Sequence, residues 1–314
     1  MDLNIRASFD PQAASVGAVA DEPALVEHDS RGILAPWLLR QRVTLTRYPA
    51  TPALVGLVDR FWCVRWDLPD GAVHRQEVLT HPGANLVVSH PDADAPLAPR
   101  RGSRYAGLEA VVSGVATAVV TRTLVGSGWA VAAMTTPGGL GAFTRGPASR
   151  LTDTVVALEQ VLDVEADALI ARMAGDADEP ARVGAFATTL EKAVHPRRVP
   201  GARWVAAAAR IVETDRSVRS LADLAARTAT PARTLQRRFD THAGVSPSWV
   251  LRRYRLLDAA DSVRDGGHPR WADVAADLGY SDQAHLVRDF HAATGQTPAA
   301  YASWGSACEK LIKT

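Results

Sequence analysis

The chain holds little cysteine: Cys63 and Cys308 are the two in 314 residues, and neither sits in a cysteine-rich spacing. That scarcity excludes a disulfide scaffold or a zinc finger and fits a reducing compartment. Long apolar runs are lacking too. The best candidate, VVSGVATAVVTRTL, is interrupted by Arg122, short of the roughly 20 residues that a spanning helix requires. The opening residues, MDLNIRASFDPQAASVGAVADEP, show no basic segment leading into an apolar core, so the expectation is a soluble, cytoplasmic chain with no secretory signal and no membrane partner. Net charge is almost absent at +1, and the average alone predicts no polyanionic partner.

What is present is a globular composition, 47% hydrophobic and 22% charged, with apolar mass for two cores and a length that predicts roughly two domains of about 150 residues. Residues 1–42 are rich in Ala, Asp and Pro without a period and read as an irregular lead-in. From 43 onward come short alternating runs, DRFWCVRWDL, VHRQEVLT, ANLVVSH, EAVVSGVATAVV and GWAVAAM, divided by turn clusters such as LPDG and HPDADAP. Such a pattern predicts a small β-barrel or an antiparallel sheet. TPALVGLVDRF reads as a short helix leading into the first strand. After Leu151 the spacing turns helical, in LTDTVVALEQVL and VGAFATTLEKAV. The β-rich domain with its helices is therefore placed at 43–195, and the Pro-rich, basic stretch from His195 to Ala202 is read as the joint, with a linker at 196–202. An all-α domain follows at 203–304, which makes the expected fold class α+β.

That last domain repeats itself. Leu235, Arg237, Phe239, Gly244 and Pro247 recur 51 residues on as Leu286, Arg288, Phe290, Gly295 and Pro298, and upstream LADLAARTAT is answered by WADVAADLGY at an offset of 50. The one-residue slip falls between helices, where insertions cost least. Each copy reads as a short amphipathic helix, a tight turn and a second helix. In the first copy Thr230 then Pro231 reads as an N-cap with proline at the first helical position. Ala232, Leu235 and Phe239 fall on one stripe at 100° per residue, and Arg233 and Arg237 share the opposite side, flanked by Thr234 and Gln236.

Apolar residues inside and Arg, Gln and Thr outside describe a helix-turn-helix, whose second helix enters the major groove. There arginine takes both guanine acceptors and glutamine pairs with adenine. The candidate DNA-contacting residues are Thr230, Arg233, Thr234, Gln236 and Arg237 in the first copy and Gln283, His285 and Arg288 in the second. Arg227, Arg233, Arg237, Arg238, Arg252, Arg253 and Arg255 stand against Asp240 alone, the footprint of a phosphate-binding face. The second copy is acidic instead, with Asp258, Asp261, Asp265, Asp273, Asp277, Asp282 and Asp289 against Arg264, Arg270 and Arg288. The first unit is therefore expected to supply most of the affinity.

These strings, LADLAARTATPARTLQRRF with GVSPSWVLRRYRL and WADVAADLGYSDQAHLVRDF with GQTPAAY, resemble the AraC/XylS-type transcription regulators over about 203–304. The resemblance implies two recognition helices in successive major-groove segments on one face of double-stranded DNA. YPATPALVGLVDRFWCVRWDLP and MTTPGGLGAFTRGPASRLTDTVVALEQVL further resemble an uncharacterised N-terminal domain fused to such regulators. In this family the other domain usually binds a small effector, dimerises, or both, which leaves an effector, a second copy of the chain and RNA polymerase open as partners.

Nothing in the N-terminal half forms a catalytic set. FWCVRW reads either as barrel core or as pocket lining. His74, His81 and His90 lack an H-x-H pair or a nearby carboxylate, so no metal is expected. PGGLGAF lacks the Lys-Ser/Thr of a phosphate loop, Cys63 reads as a small buried hydrophobe, and no cofactor is expected. Two alternatives to a regulator stay open: a metal-dependent or alkyl-transferring repair enzyme targeted by a DNA-binding module, and a scaffold that works without DNA.

Overall fold

The computed structural model describes residues 24–25, 31–34, 42–94, 107–175, 178–262 and 269–303. Among the described residues of the N-terminal half, nine strands form two open antiparallel sheets. They are β1 (Ala24–Leu25), β2 (Val43–Pro49), β3 (Val58–Asp67), β4 (Val73–Val78), β5 (Asn85–Ser89), β6 (Glu109–Ser113), β7 (Val120–Val125), β8 (Ser127–Thr135) and β9 (Val155–Ala157). Seven of them order as β1-β2-β3-β8-β5-β6-β9, and β4 pairs with β7 alone. Of the barrel and sheet alternatives, the open sheet is realised. Its edge strands β1 and β9 are two and three residues long, short enough to offer little to a passing strand.

Alternation assigns the faces of the large sheet. Phe61 and Cys63 on β3, Leu86 and Val88 on β5 and Val131 and Ala133 on β8 are buried on one side, because successive side chains of a strand point oppositely. Helices α1 (Ala166–Ala174) and α2 (Glu179–Ala193) cover that side. Leu169, Ile170, Met173, Phe186 and Leu190 complete its core, with Phe61 meeting Phe186 edge-on at 6.2 Å. On the other side Trp62 packs with Val87, Val111 and Ala132. FWCVRW is thus split between two faces rather than gathered on one.

The helical reading of LTDTVVALEQVL is corrected. Residues 148–151 and 158–160 are short 3-10 turns, and Val155–Ala157 pairs with Val111–Ser113. Pairing across the sheet overrode the three-and-four spacing, and the β-branched pair Val155 and Val156 favours it. TPALVGLVDRF likewise gives only a 3-10 turn at Pro52–Leu54 before β3.

The C-terminal half is helical: α3 (Val199–Thr214), α4 (Leu221–Arg227), α5 (Ala232–His242), α6 (Pro247–Asp261), α7 (Trp271–Asp277) and α8 (Gln283–Thr294), with residues 298–303 also helical. The stretch read as a linker is ordered, as a 3-10 turn at Pro196–Arg198 running into α3. Nor is the lead-in wholly irregular. Ala24–Leu25 pairs with β2, and Arg31–Leu34 lies along the end of β4, where the Leu34 N–H donates to the Glu77 carbonyl at 2.9 Å. The rest of the lead-in, Cys308, Arg264 and Asp265 lie outside the described residues.

Leu34, Leu79 and Val115 of the N-terminal half are buried in one core with Val205, Leu235, Phe239 and Leu257. Hydrophobic burial therefore crosses the sequence-defined domain boundary.

Candidate nucleic-acid interface

Each repeat builds the same local shape with different chemistry. In the first, the Ser220 side chain accepts from the Asp223 N–H, and the Asp223 carboxylate accepts from the Ser220 hydroxyl and the Arg219 N–H. This reciprocal cap begins α4. The turn that follows passes through Ala229 at φ +47, and in the second copy Gly279 holds the matching place at φ +73. Thr230 spends its hydroxyl on the Thr228 carbonyl at 3.0 Å. Pro231, not Thr230, occupies the N-cap position, and its side chain makes no capping bond. The expected Thr230 cap is thus displaced by one residue.

On α5, Leu235 and Phe239 are fully buried, while Ala232 is exposed rather than part of their stripe. Arg233, Gln236 and Arg237 are exposed and Thr234 is half-buried. One face of the helix therefore packs and the other offers two guanidinium groups and an amide to solvent.

The arginine cluster counted in the sequence dissolves in the structure. Arg227 pairs with Asp215 at 3.3 Å and Arg252 with Asp289 at 3.8 Å. Arg238 lies 4.1 Å over the Trp204 ring. Arg255 donates to the Arg219 carbonyl and lies 5.8 Å over Tyr280. Arg253 is only 2% exposed and donates to the Thr117 and Ala116 carbonyls of the N-terminal half at 2.6 and 3.3 Å. Among the described residues, Arg233 and Arg237 are the members of the cluster left exposed with no ion-pair or ring partner. Sequence counts charge, but partners far along the chain decide which charge is spent.

In the second copy Asp282 caps α8 by accepting the His285 N–H at 2.7 Å. That bond first, then the Ser281 hydroxyl and the Arg288 cation, holds its carboxyl below the usual range. Leu286 and Phe290 are buried as their counterparts are. Gln283 and Arg288 are exposed. His285 is half-buried and engaged by its neighbours: its Nδ1 is 3.2 Å from the Ser281 hydroxyl, its Nε2 is 3.9 Å from Asp289, and its ring meets Tyr280 edge-on at 5.1 Å. The eight residues picked from sequence thus separate into exposed Arg233, Gln236, Arg237, Gln283 and Arg288, half-buried Thr234, and Thr230 and His285 with side chains bonded inside their own units.

The first unit is also clasped to the N-terminal half, through residues that sequence reading passed over. Arg198 donates to the carbonyls of Gly141 at 2.6 Å and Gly146 at 3.0 Å, and reaches Thr241 of α5 at 3.5 Å. Thr152 donates to the Gly244 carbonyl at 2.7 Å. His242, at the end of α5, lies between Gly141 and Gly201, where a β-carbon would come within 2.5 and 2.4 Å of its ring. Arg31 bonds Asp258 at 2.8 Å. The glycine pair is the one sequence signal here, and it becomes readable only once its shared neighbour is known.

The three histidines considered for a metal sit apart. His74 is buried beside Gln76 on β4, His81 Nε2 is 3.4 Å from the Arg31 carbonyl, and His90 Nδ1 accepts the Trp129 N–H at 3.1 Å. No group of three metal-capable side chains forms among the described residues, and no helix among them is long and apolar enough to cross a membrane. Cys63 is 2% exposed. Burial first, and then the Glu179 carboxylate, pushes its thiol up to about 12.

Comparison with known proteins assigns both halves. Residues 224–303 match a helix-turn-helix domain family, and residues 46–157 match a domain of unknown function, DUF6597. No curated protein matches the chain. Among solved structures, the chain is similar to the C-terminal domain of AraT, a response regulator from Geobacillus stearothermophilus, at 21% identity and a TM-score of 0.29, covering 31% of this chain and 81% of that one. It is also similar to ToxT from Vibrio cholerae O395, at 10% identity and a TM-score of 0.38, covering 77% of this chain and 97% of that one. The chain therefore carries an AraC-type helix-turn-helix domain at its C-terminus joined to an N-terminal DUF6597 domain, the make-up of a DNA-binding transcription regulator.

Proposed function

We propose that the protein is a sequence-specific, cytoplasmic regulator of transcription that lays α5 and α8 in successive major-groove segments of double-stranded DNA. The observation that carries this reading is the paired polarity of the two helices. Leu235 and Phe239, like Leu286 and Phe290, are fully buried, while Arg233, Gln236 and Arg237, like Gln283 and Arg288, face solvent. A bidentate arginine–guanine or glutamine–adenine contact is worth about 1–3 kcal/mol of discrimination, enough for a handful of side chains to define a site.

The two units contribute unequally. Arg233 and Arg237 bring cations with no acidic partner, whereas Arg288 works beside Asp282. Control enters through the N-terminal half, by a small effector, a second copy of the chain, or both, with RNA polymerase as the downstream partner. The burial and raised thiol of Cys63 argue against a nucleophilic, alkyl-accepting role for it, because the thiolate is the reactive form.

Selection from random duplexes by the full-length protein tests this reading. The expected motif has two information-bearing blocks about one helical turn apart. Each phosphate contact adds about 0.9 to the steepness of log affinity against log salt, so Arg237→Ala is expected to flatten that slope more than Arg288→Ala. Equal flattening would overturn the inequality, and no salt-dependent binding to any duplex would favour the scaffold reading.

A further inference from the structure

Helix α6 joins the two DNA-binding units, and three of its arginines within four residues reach three different bodies. Arg252 pairs with Asp289 of α8, and Arg255 bonds the Arg219 carbonyl ahead of α4 and covers Tyr280. Arg253 points the other way, into the N-terminal half. Its Nη2 donates to both Thr117 and Ala116 carbonyls, its guanidinium lies 4.6 Å over Trp249, and its Nη1 is buried without a partner. Among the described residues no carboxylate forms an ion pair with this buried cation, and losing its hydration is costly. Its value lies in position.

The turn that Arg253 grips is itself held by Asp153, whose carboxylate also lies near enough to favour the Arg253 cation. The Asp153 carboxylate accepts the Thr117 N–H at 2.6 Å and its hydroxyl at 2.7 Å, and Thr80 donates to the Ala116 carbonyl at 3.0 Å. Asp153 adopts φ +57 to do so, a conformation uncommon outside glycine. This turn is also where the chain leaves the seven-stranded sheet, through β6, and enters the two-stranded sheet, through β7. A change in how the two sheets lie against each other therefore displaces Ala116 and Thr117, and with them the anchor of α6.

Building on the DNA-binding reading, we infer that Arg253 is a positioning residue: by tying α6 to the Ala116–Thr117 turn it sets the placement of α8 relative to α5, so that the state of the N-terminal sheets governs how the two recognition helices meet DNA. Perturbing the turn at Asp153, away from α6, tests that coupling rather than mere adjacency.

The test uses full-length Arg253→Gln and Asp153→Ala, with Arg253→Lys as the variant that keeps the cation. Amide hydrogen exchange is read without DNA. Both Arg253→Gln and Asp153→Ala are expected to speed exchange across 283–294 by about tenfold, a local opening made easier, while Arg253→Lys has a smaller effect. On the duplex selected by the wild type, re-synthesised with one base pair added or removed between its blocks, both variants are expected to lose most of the wild-type spacing preference with an unchanged salt slope.

Unchanged exchange across 283–294 in Asp153→Ala would overturn the inference, because the turn would then not reach α8. A slope flattened by about 0.9 in Arg253→Gln would overturn it as well, by making Arg253 a phosphate contact. A wild type that bound no duplex would defeat the DNA-binding reading, while the exchange experiment would still decide whether the turn and α8 are coupled.

Discussion

Arginine carries the argument at the scale of single residues, because its fate depends on what lies beside it. Seven arginines crowd the first repeat in sequence, yet the structure leaves Arg233 and Arg237 with exposed, unspent cations and buries Arg253. Backbone conformation is equally individual. Ala229 occupies φ +47 where the second copy uses Gly279, and a β-carbon in the left-handed region costs about 1–2 kcal/mol. Ala229→Gly is therefore expected to stabilise the fold by about 0.5–1 kcal/mol after glycine's extra unfolded-state entropy is set against the relief. Urea denaturation checks this, and a lowered midpoint would show that the alanine is unstrained.

Elements behave less locally than their spacing implies. The stretch around Val155 has helical periodicity but pairs as β9, because Val111–Ser113 offers a strand edge to fill. The two repeats, by contrast, form the helix-turn-helix shape read for them, apart from the α5 cap one residue later and Ala232 outside the buried stripe, since turns and buried i,i+4 pairs lie within a few residues of one another. Where α5 meets α3 and the N-terminal half, fit is set by two glycines around His242. Gly201→Ala would place a β-carbon 2.4 Å from His242 Nε2, and such overpacking typically costs about 1–3 kcal/mol. In a His242→Ala background the same substitution is expected to be nearly neutral, so the two changes should be strongly non-additive. Additive effects on unfolding free energy would show that Gly201 and His242 do not press on one another.

For the molecule as a whole, the shared core makes stability answer to pH through histidines that burial keeps neutral. Burial first, then Arg198 and Arg238, lowers His242 to about 4, and burial also lowers His81 and His74. Between about pH 6.5 and 4 the unfolded chain takes up protons that the folded chain refuses, so stability falls as pH drops through that window. Thermal unfolding at steps from pH 7.5 to 4 is expected to show a falling midpoint, less steep in His242→Gln. A flat profile would mean that these rings protonate freely in the fold. The carboxylates held low at Asp215, Asp223 and Asp282 act in the same direction at the acid end, because their unfolded counterparts begin to protonate below about pH 5, so the His242→Gln comparison is what isolates the histidine.

The amino-acid sequence by itself determined the repeated helix-turn-helix units, their buried Leu and Phe pairs and the polar faces of α5 and α8, because each depends on interactions between residues close along the chain. Only the tertiary structure decided that the sheets stay open, that residues 155–157 pair as a strand, and that Arg253 serves the N-terminal half. Ala116 and Thr117 lie more than 130 residues from Arg253, and no local pattern records a partner at that distance. Burial and pairing across such separations are settled when the chain closes on itself, and they determine which polar groups remain free to act.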